Sequence, residues 1–238
     1  MEATTRRFIR TELLLYAYPS LSLPPQISEL TQATQIDIGL GNGPKDPIYH
    51  YHSNYDSYAW MSTFGDPGFR LHTAIGQVLS LILYHIADDA LIPWDIPNAA
   101  TVLQAYVSEL NETVADSDFP DLDISPIVDA VAEFAKQAAH IATVATQAVG
   151  FNDSVILAVV NSKFRDFSRG FASAGGLPGR ETFRNVISAP GIDNGYGADV
   201  FPAVTDKINA GEREEAGVWV EKSARAVRRA AEILMVGA

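Results

Sequence analysis

Two histidines lie one residue apart in the stretch IYHYHSNYDSYAWM, residues 48–61, among four tyrosines. Histidine is the commonest protein ligand of metal ions, and zinc binds its neutral ring. A catalytic zinc needs three protein ligands, and a two-zinc hydrolase needs more, including a carboxylate that bridges ions about 3.5–4 Å apart. The stretch therefore indicates a working metal site only if the chain supplies partners for His50 or His52.

The other histidines do not supply those partners. His72 and His85 are thirteen residues apart in one predicted helix, and His140 has no acidic residue three or four positions further on. The sequence has no cysteine, and the spacings HExxH, HxD and ExxH do not occur in it. The pattern favours structural or surface roles for these three histidines and argues against a complete metal site within this chain.

Motifs for other chemistry are equally sparse. The sequence has no GxSxG, and GLGNGPKD lacks the glycine spacing and the following helix of a phosphate-binding loop. Arg180 and Arg184 could contact an anion, but their setting favours an ordinary structural role in a loop.

The composition excludes several classes of protein. The 238 residues are 47% hydrophobic and 19% charged, which is typical of a folded protein with one large or two small domains. A net charge of -12 argues against nucleic acid as a partner. The absence of cysteine excludes disulfides and thiolate metal sites. The sequence shows no clear signal peptide or apolar membrane span, and it leaves the compartment unknown.

The elements before residue 90 are short. Residues 1–34 are mixed in character and are predicted to be poorly ordered, and the alternation over residues 36–40 predicts a strand that leads through a loop to the histidines. A helix is predicted over residues 66–88, with Asp66 as its N-cap and Pro67 at its first position. This helix is apolar nearly all round, so we expect it to be buried.

Four longer amphipathic helices are predicted downstream, and together they indicate an antiparallel four-helix bundle. The first begins at an N-cap at Asn98 and the second at an N-cap at Ser125. The third is predicted to direct Val155, Val159, Phe164 and Phe167 to the core. The predicted core residues of the second are Ile127, Val131, Phe134, Ala138, Ile141 and Ala145. The fourth carries acids in its first turn and arginines late, as the helix dipole favours. Their predicted bounds are residues 98–114, 125–150, 152–171 and 212–235. An irregular segment separates the last two.

Several separated motifs resemble one known family in the same order. IDIGLGNGPKDPIYHYHSNYDSYAWMSTFGDPGFRLHTAIGQV resembles the end of the peptidase domain in the family of glutamate carboxypeptidase II. These are the M28-type dizinc aminopeptidase-like proteins, which also include the transferrin receptor. ADDALIPWD, GLPGRETFRNVISAP and DNGYGADVFPAV resemble landmarks of their C-terminal transferrin receptor-like dimerisation domain. The resemblance implies an unmatched region at 1–34, a peptidase-domain remnant at 35–90 and the helical dimerisation domain at 91–238. The implied fold is mainly α, with the bundle preceded by a short strand-loop-helix remnant of an α/β domain.

The resemblance also implies roles for single residues. His52 matches the final zinc ligand of the family, and Tyr51 matches the neighbouring tyrosine that lines the active site. Tyr196 matches a tyrosine that helps to bind the C-terminal carboxylate of a substrate. Gly195 stands where glutamate-preferring members have lysine, which puts that preference in doubt. The remaining zinc ligands, the general base and almost all of the family's sheet have no match here, so helix 66–88 would expose a large apolar patch.

The expected function is therefore that of a dimerisation domain fragment which forms a homodimer, is inactive alone and does not stably bind zinc. One alternative is a truncated gene model of an active dizinc carboxypeptidase or aminopeptidase, which would take peptide substrates only with a catalytic half present. Another is a non-catalytic receptor-like binding protein. Most family members are membrane-anchored or secretory, so membrane attachment of this chain would need a missing N-terminal anchor.

Overall fold

The structure, a computed structural model, describes residues 13–16, 37–40, 50–192 and 198–237. These residues fall into two compact units. The first contains residues 13–16, 37–40 and 50–88, and the second contains residues 89–192 and 198–237.

The first unit begins with a two-stranded antiparallel sheet. Strand β1 (Leu13–Tyr16) pairs with β2 (Asp37–Leu40), and Leu13 lies opposite Leu40. The predicted strand at residues 36–40 is confirmed. Residues 1–34 were predicted to be poorly ordered. Apart from β1, they lie outside the described residues.

Two helices follow in this unit. A short α1 (Tyr58–Trp60) runs into a π-helical turn (Met61–Gly65), and α2 spans Arg70–Asp88. The predicted start of α2 at Pro67 is wrong, because residues 66–69 form a turn in which Gly68 and Phe69 have φ angles of 80° and 52°. Asp66 nevertheless caps the helix, since its carboxylate accepts the N–H groups of Leu71 and His72.

Helix α2 has no buried residue. Leu81, Leu83 and Tyr84 are 60%, 67% and 58% exposed. The expectation of a buried helix is therefore wrong for this chain, whereas the exposed apolar patch expected without the family's sheet is present. The apolar side chains lie around the whole helix, and those of Leu71, Ile75, Ile82 and Ile86 are only partly covered. An exposed apolar surface of this kind is typical of a site that normally lies against other protein.

The second unit contains the main helices. In chain order it holds α3 (Ile96–Ala115), α4 (Ser125–Phe151), α5 (Ser154–Asp166), a 3-10 turn (Phe167–Phe171), α6 (Pro202–Asn209) and α7 (Arg213–Leu234). A small antiparallel hairpin of β3 (Ser188–Pro190) and β4 (Ala198–Val200) precedes α6. The four predicted helices are confirmed, α6 was not predicted, and the fold is mainly α.

Polar side chains set the helix starts. Asp95 accepts the N–H of Asn98 at 3.0 Å, so α3 begins before the predicted cap at Asn98. Asp123 likewise accepts the N–H of Ser125, which is the first residue of α4 rather than its cap. Asp153 accepts two N–H groups at the start of α5. Each carboxylate satisfies donors that the first helical turn leaves unpaired.

Helix α4 lies at the centre of the core and packs against α3, α5 and α7. Its predicted core residues recur every three or four positions and are all buried: Ile127, Val131, Phe134, Ala138, Ile141 and Ala145. In α5 the buried residues are Leu157, Val160 and Phe164, whereas Val155 and Val159 are 71% and 37% exposed. None of the described helices is long and apolar enough to cross a membrane.

Candidate metal-ligand loop and dimerisation surface

The histidine stretch forms a compact turn rather than an extended segment. Ser53 donates both its backbone N–H and its hydroxyl to the carbonyl oxygen of His50, at 3.1 and 2.7 Å. The ring of His50 lies 5.5 Å from that of Trp60 in an edge-to-face arrangement and 5.8 Å from that of Tyr55. These contacts give His50 a structural role, since its ring forms part of an aromatic cluster.

His52 has a different environment. It is exposed, its φ angle is 59°, and its ring stacks on Tyr51 with centroids 3.8 Å apart and planes 20° apart. Histidine is one of the few residues that enter the left-handed region with some frequency. The turn therefore presents the His52 imidazole at the surface, with one face covered by the neighbouring tyrosine.

Asp66 is the first buried carboxylate after this turn in the sequence, and one of its two oxygens, Oδ2, is already engaged. It is 5% exposed, and Oδ2 accepts from the backbone N–H groups of Leu71 and His72 and pairs with Nδ1 of His72 at 2.7 Å. Burial alone would raise the pKa of Asp66, but the hydrogen bonds from His72 and Leu71 outweigh it and hold the pKa below its usual value. Asp66 thus caps α2 through Oδ2.

The described residues do not fit a zinc site by themselves. They contain no group of three or more histidine, aspartate or glutamate side chains that could hold one ion. His72, His85 and His140 are all exposed. A single imidazole cannot replace the three or more ligands that a catalytic zinc requires. Tyr196, the third residue singled out by the resemblance, lies outside the described residues.

A second candidate surface lies where α4 meets α5. Phe151 is 84% exposed, and Val149 and Val155 are 52% and 71% exposed. Val155 and Val159 are four residues apart, so they share one face of α5. We call Val149, Phe151, Val155 and Val159 the α4–α5 corner. Apolar side chains of this size, close in sequence and exposed together, are typical of a contact surface.

Comparison with known proteins identifies the helical region. Residues 122–235 match the family described as the transferrin receptor-like dimerisation domain. This chain carries a transferrin receptor-like dimerisation domain. The domain includes α4, α5, α6 and α7, and therefore the whole α4–α5 corner.

Similarity to curated proteins extends beyond the dimerisation domain. A protein of Arthroderma benhamiae named as a probable glutamate carboxypeptidase is 45% identical over 201 residues, which cover 84% of this chain and 28% of that relative. A probable glutamate carboxypeptidase of Arabidopsis thaliana is 28% identical over 84% of this chain and 29% of its own length. An inactive zinc metalloprotease of Schizosaccharomyces pombe is 23% identical over 74% of this chain and 23% of its own length.

The chain thus resembles glutamate carboxypeptidase-like and transferrin receptor-like proteins, and the predicted resemblance is confirmed. It spans less than a third of the length of these curated relatives. The α4–α5 corner was missed by the reasoning from sequence. Its signal was present, because Asn152 and Asp153 separate the two helices directly after Phe151. The valines of α5 were instead assigned to the apolar face that packs on the core.

Proposed function

We propose that this chain forms a homodimer through its dimerisation domain and that the α4–α5 corner is part of the contact. The match of residues 122–235 to a dimerisation domain carries the proposal. A dimer between identical chains places the same patch on both sides of a two-fold axis. The corner suits such a contact because Phe151 supplies a large aromatic side chain that can enter a pocket on the second copy.

Sedimentation velocity on the 238-residue chain at micromolar concentration tests this proposal. The unmodified chain should sediment as a dimer, and the variant Phe151→Ser/Val155→Ser should shift to a monomer. Helix α2 is the main confounder, because its exposed leucines could drive association of another kind.

The matched control is therefore Leu79→Gln/Leu83→Gln, which lowers the apolar surface of α2 by two side chains on one helix face. This control should still dimerise. A strictly monomeric wild-type chain would contradict the proposal of a homodimer. Loss of the dimer in the α2 control, with the corner variant still dimeric, would move the contact to α2.

We further propose that His52 is an inherited zinc ligand, that Tyr51 and Tyr196 belong to the substrate side of the same site, and that this chain alone has no peptidase activity. The 45% identity to a protein named as a probable glutamate carboxypeptidase supports the inheritance. The lack of a metal-binding group among the described residues supports inactivity. A chain with one imidazole ligand should also bind zinc weakly.

A peptidase assay of the purified chain with added zinc tests inactivity, with His52→Ala and His140→Ala as paired variants. No turnover above buffer is expected from any of the three. Zinc-dependent turnover that His52→Ala abolishes and His140→Ala preserves would refute the claim.

A further inference from the structure

A cleft of about 480 Å³ opens in the helical unit between the glycine-rich segment 172–181 and one face of α7. Lys222, Arg225 and Arg229 line it from the helix, and Glu181 lines it from the segment. The three cations are spaced by three and four residues, so they share one helix face. This local excess of positive charge contrasts with the net charge of -12 for the whole chain.

The walls of the cleft are fixed by close packing. A Cβ atom on Gly170 would lie 2.4 Å from the backbone of Ala230, and one on Gly176 would lie 2.2 Å from the carbonyl oxygen of Glu181. Arg229 donates to the carbonyl oxygens of Gly170 and Ala172, with Nη2 at 2.8 and 2.5 Å. Arg229 therefore ties the segment to α7, and the cleft is formed before any ligand arrives.

Lys222 and Arg225 differ from Arg229, which donates to two carbonyl oxygens, because neither forms a hydrogen bond or an ion pair with residues 50–192 and 198–237. The ammonium group of Lys222 lies 4.2 Å from the ring centroid of Trp219, a side chain that also lines the cleft. Two unpaired cations beside an aromatic ring in a preformed concave site provide charge and apolar surface together.

We propose that this cleft binds a small organic dianion, a phosphate monoester or a dicarboxylate, through Lys222 and Arg225. The volume lies within the range of small-molecule sites, about 300–1,000 Å³, so it accommodates a ligand with an organic part as well as an anionic group. Arg225 can hold two oxygens at once with its planar guanidinium group, and Lys222 adds a point charge. The acidic remainder of the protein weakens the attraction of anions at long range, so anion binding is confined to the cleft.

Calorimetric titration of the full chain with inorganic phosphate and with succinate tests the proposal, with ionic strength held constant by chloride. At least one probe should bind saturably. The double variant Lys222→Gln/Arg225→Gln should raise the probe concentration at half-saturation, the midpoint, at least tenfold. Phosphate alone would assign the phosphate class and succinate alone the dicarboxylate class. Trp219 fluorescence should change in the same titration, and Trp219→Phe should remove that signal.

The matched control is Lys136→Gln/Arg165→Gln, which removes the same charge from exposed positions on α4 and α5. Its midpoint should equal that of the wild-type chain. Failure of both probes to bind, or equal midpoints for the cleft and control variants, would overturn the proposal. A midpoint that rises with protein concentration would also overturn it, because the cleft would then be occupied by a second copy of the chain.

Discussion

Arg180 and Asp206 form an ion pair inside the helical unit. Their Nη2 and Oδ2 atoms are 2.6 Å apart, and the two side chains are 10% and 11% exposed. Arg180 also donates through Nη1 to the carbonyl oxygen of Pro190. One guanidinium group thus holds the irregular segment and β3 against α6, which contains Asp206. The structural role favoured for Arg180 from the sequence agrees with this geometry.

Replacement of Arg180 by Met should leave the Asp206 carboxylate buried without its partner. Two unit charges about 4 Å apart at an effective dielectric constant of about 20 attract each other by about 4 kcal/mol. Removing one partner of a buried pair typically costs about 3–5 kcal/mol. We therefore expect Arg180→Met to lower the free energy of unfolding by about 3–4 kcal/mol at pH 7.

The loss should depend on pH in a defined direction. Burial raises the pKa of Asp206 above its usual value, and the hydrogen bond and charge of Arg180 offset only part of that rise. Without Arg180 the pKa rises further, and the folded protein takes up a proton more readily than the unfolded chain. Stability then falls as pH rises from the unfolded-state pKa of about 3.9 to the raised folded-state pKa, by up to about 1.4 kcal/mol per pH unit. The deficit of Arg180→Met should be smaller at pH 5 than at pH 7.

Urea unfolding followed by circular dichroism at pH 5 and pH 7 measures these free energies. Asp206→Asn should lose a similar amount at both pH values, because the stranded arginine does not titrate in this range. Arg180→Met/Asp206→Leu should recover most of the loss, since no buried charge remains. The control Arg165→Met breaks an exposed pair with Asp166 and should change little. Equal losses for Arg180→Met and Arg165→Met, or equal deficits at the two pH values, would refute the reasoning.

Two further predictions concern the packing of α7. Gly170→Ala should destabilise the domain by about 1–3 kcal/mol, because the added Cβ would meet the backbone of Ala230. Gly217→Ala in α7 should stabilise the domain by about 0.5–1 kcal/mol, because nothing lies within 4 Å of the added carbon. Urea midpoints that move in the same direction for both variants would contradict this packing. Ser223→Ala should raise the free energy of unfolding by about 1 kcal/mol because the buried hydroxyl has no hydrogen-bond partner among the described residues; a lower midpoint in the same assay would indicate that the hydroxyl is paired.

Regular helices could be predicted where one apolar face is unambiguous. Helix α4 is the best example, since its six predicted core residues are all buried. Helix α5 shows the limit, because Val155 and Val159 form one apolar line and Leu157, Val160 and Phe164 form another. Periodicity alone cannot decide which of these two apolar faces is buried, because burial depends on how α5 packs against α4.

Other features depend on contacts that are distant in sequence. The partner of Arg180 lies 26 residues away in α6, a helix of 8 residues that starts after Phe201 in a left-handed conformation with no side-chain cap. The arginines late in α7 were attributed to the helix dipole. Two of them instead donate to distant carbonyl groups, Arg228 to Pro126 and Arg229 to Gly170. Neither pairing leaves a signal in local sequence.

The candidate metal loop was located by resemblance rather than by spacing. The resemblance pointed to His52, and the structure places its ring at the surface beside Tyr51. The turn at residues 50–56 was not predicted, because its hydrogen bonds come from Ser53, a residue type that is common in many loops.

Helix α7 packs against α4 and the 3-10 turn but follows both in the chain, and this order has a consequence for synthesis on the ribosome. This helix contributes ten buried residues to the core, yet it follows α3, α4 and α5 in the chain. At about 5–20 residues per second, the earlier helices wait several seconds before α7 is made. During that interval the faces of α4 and of the 3-10 turn that α7 will cover remain open to water. The nascent chain is then most vulnerable to misassociation, and a chaperone that shields α4 would act in that interval.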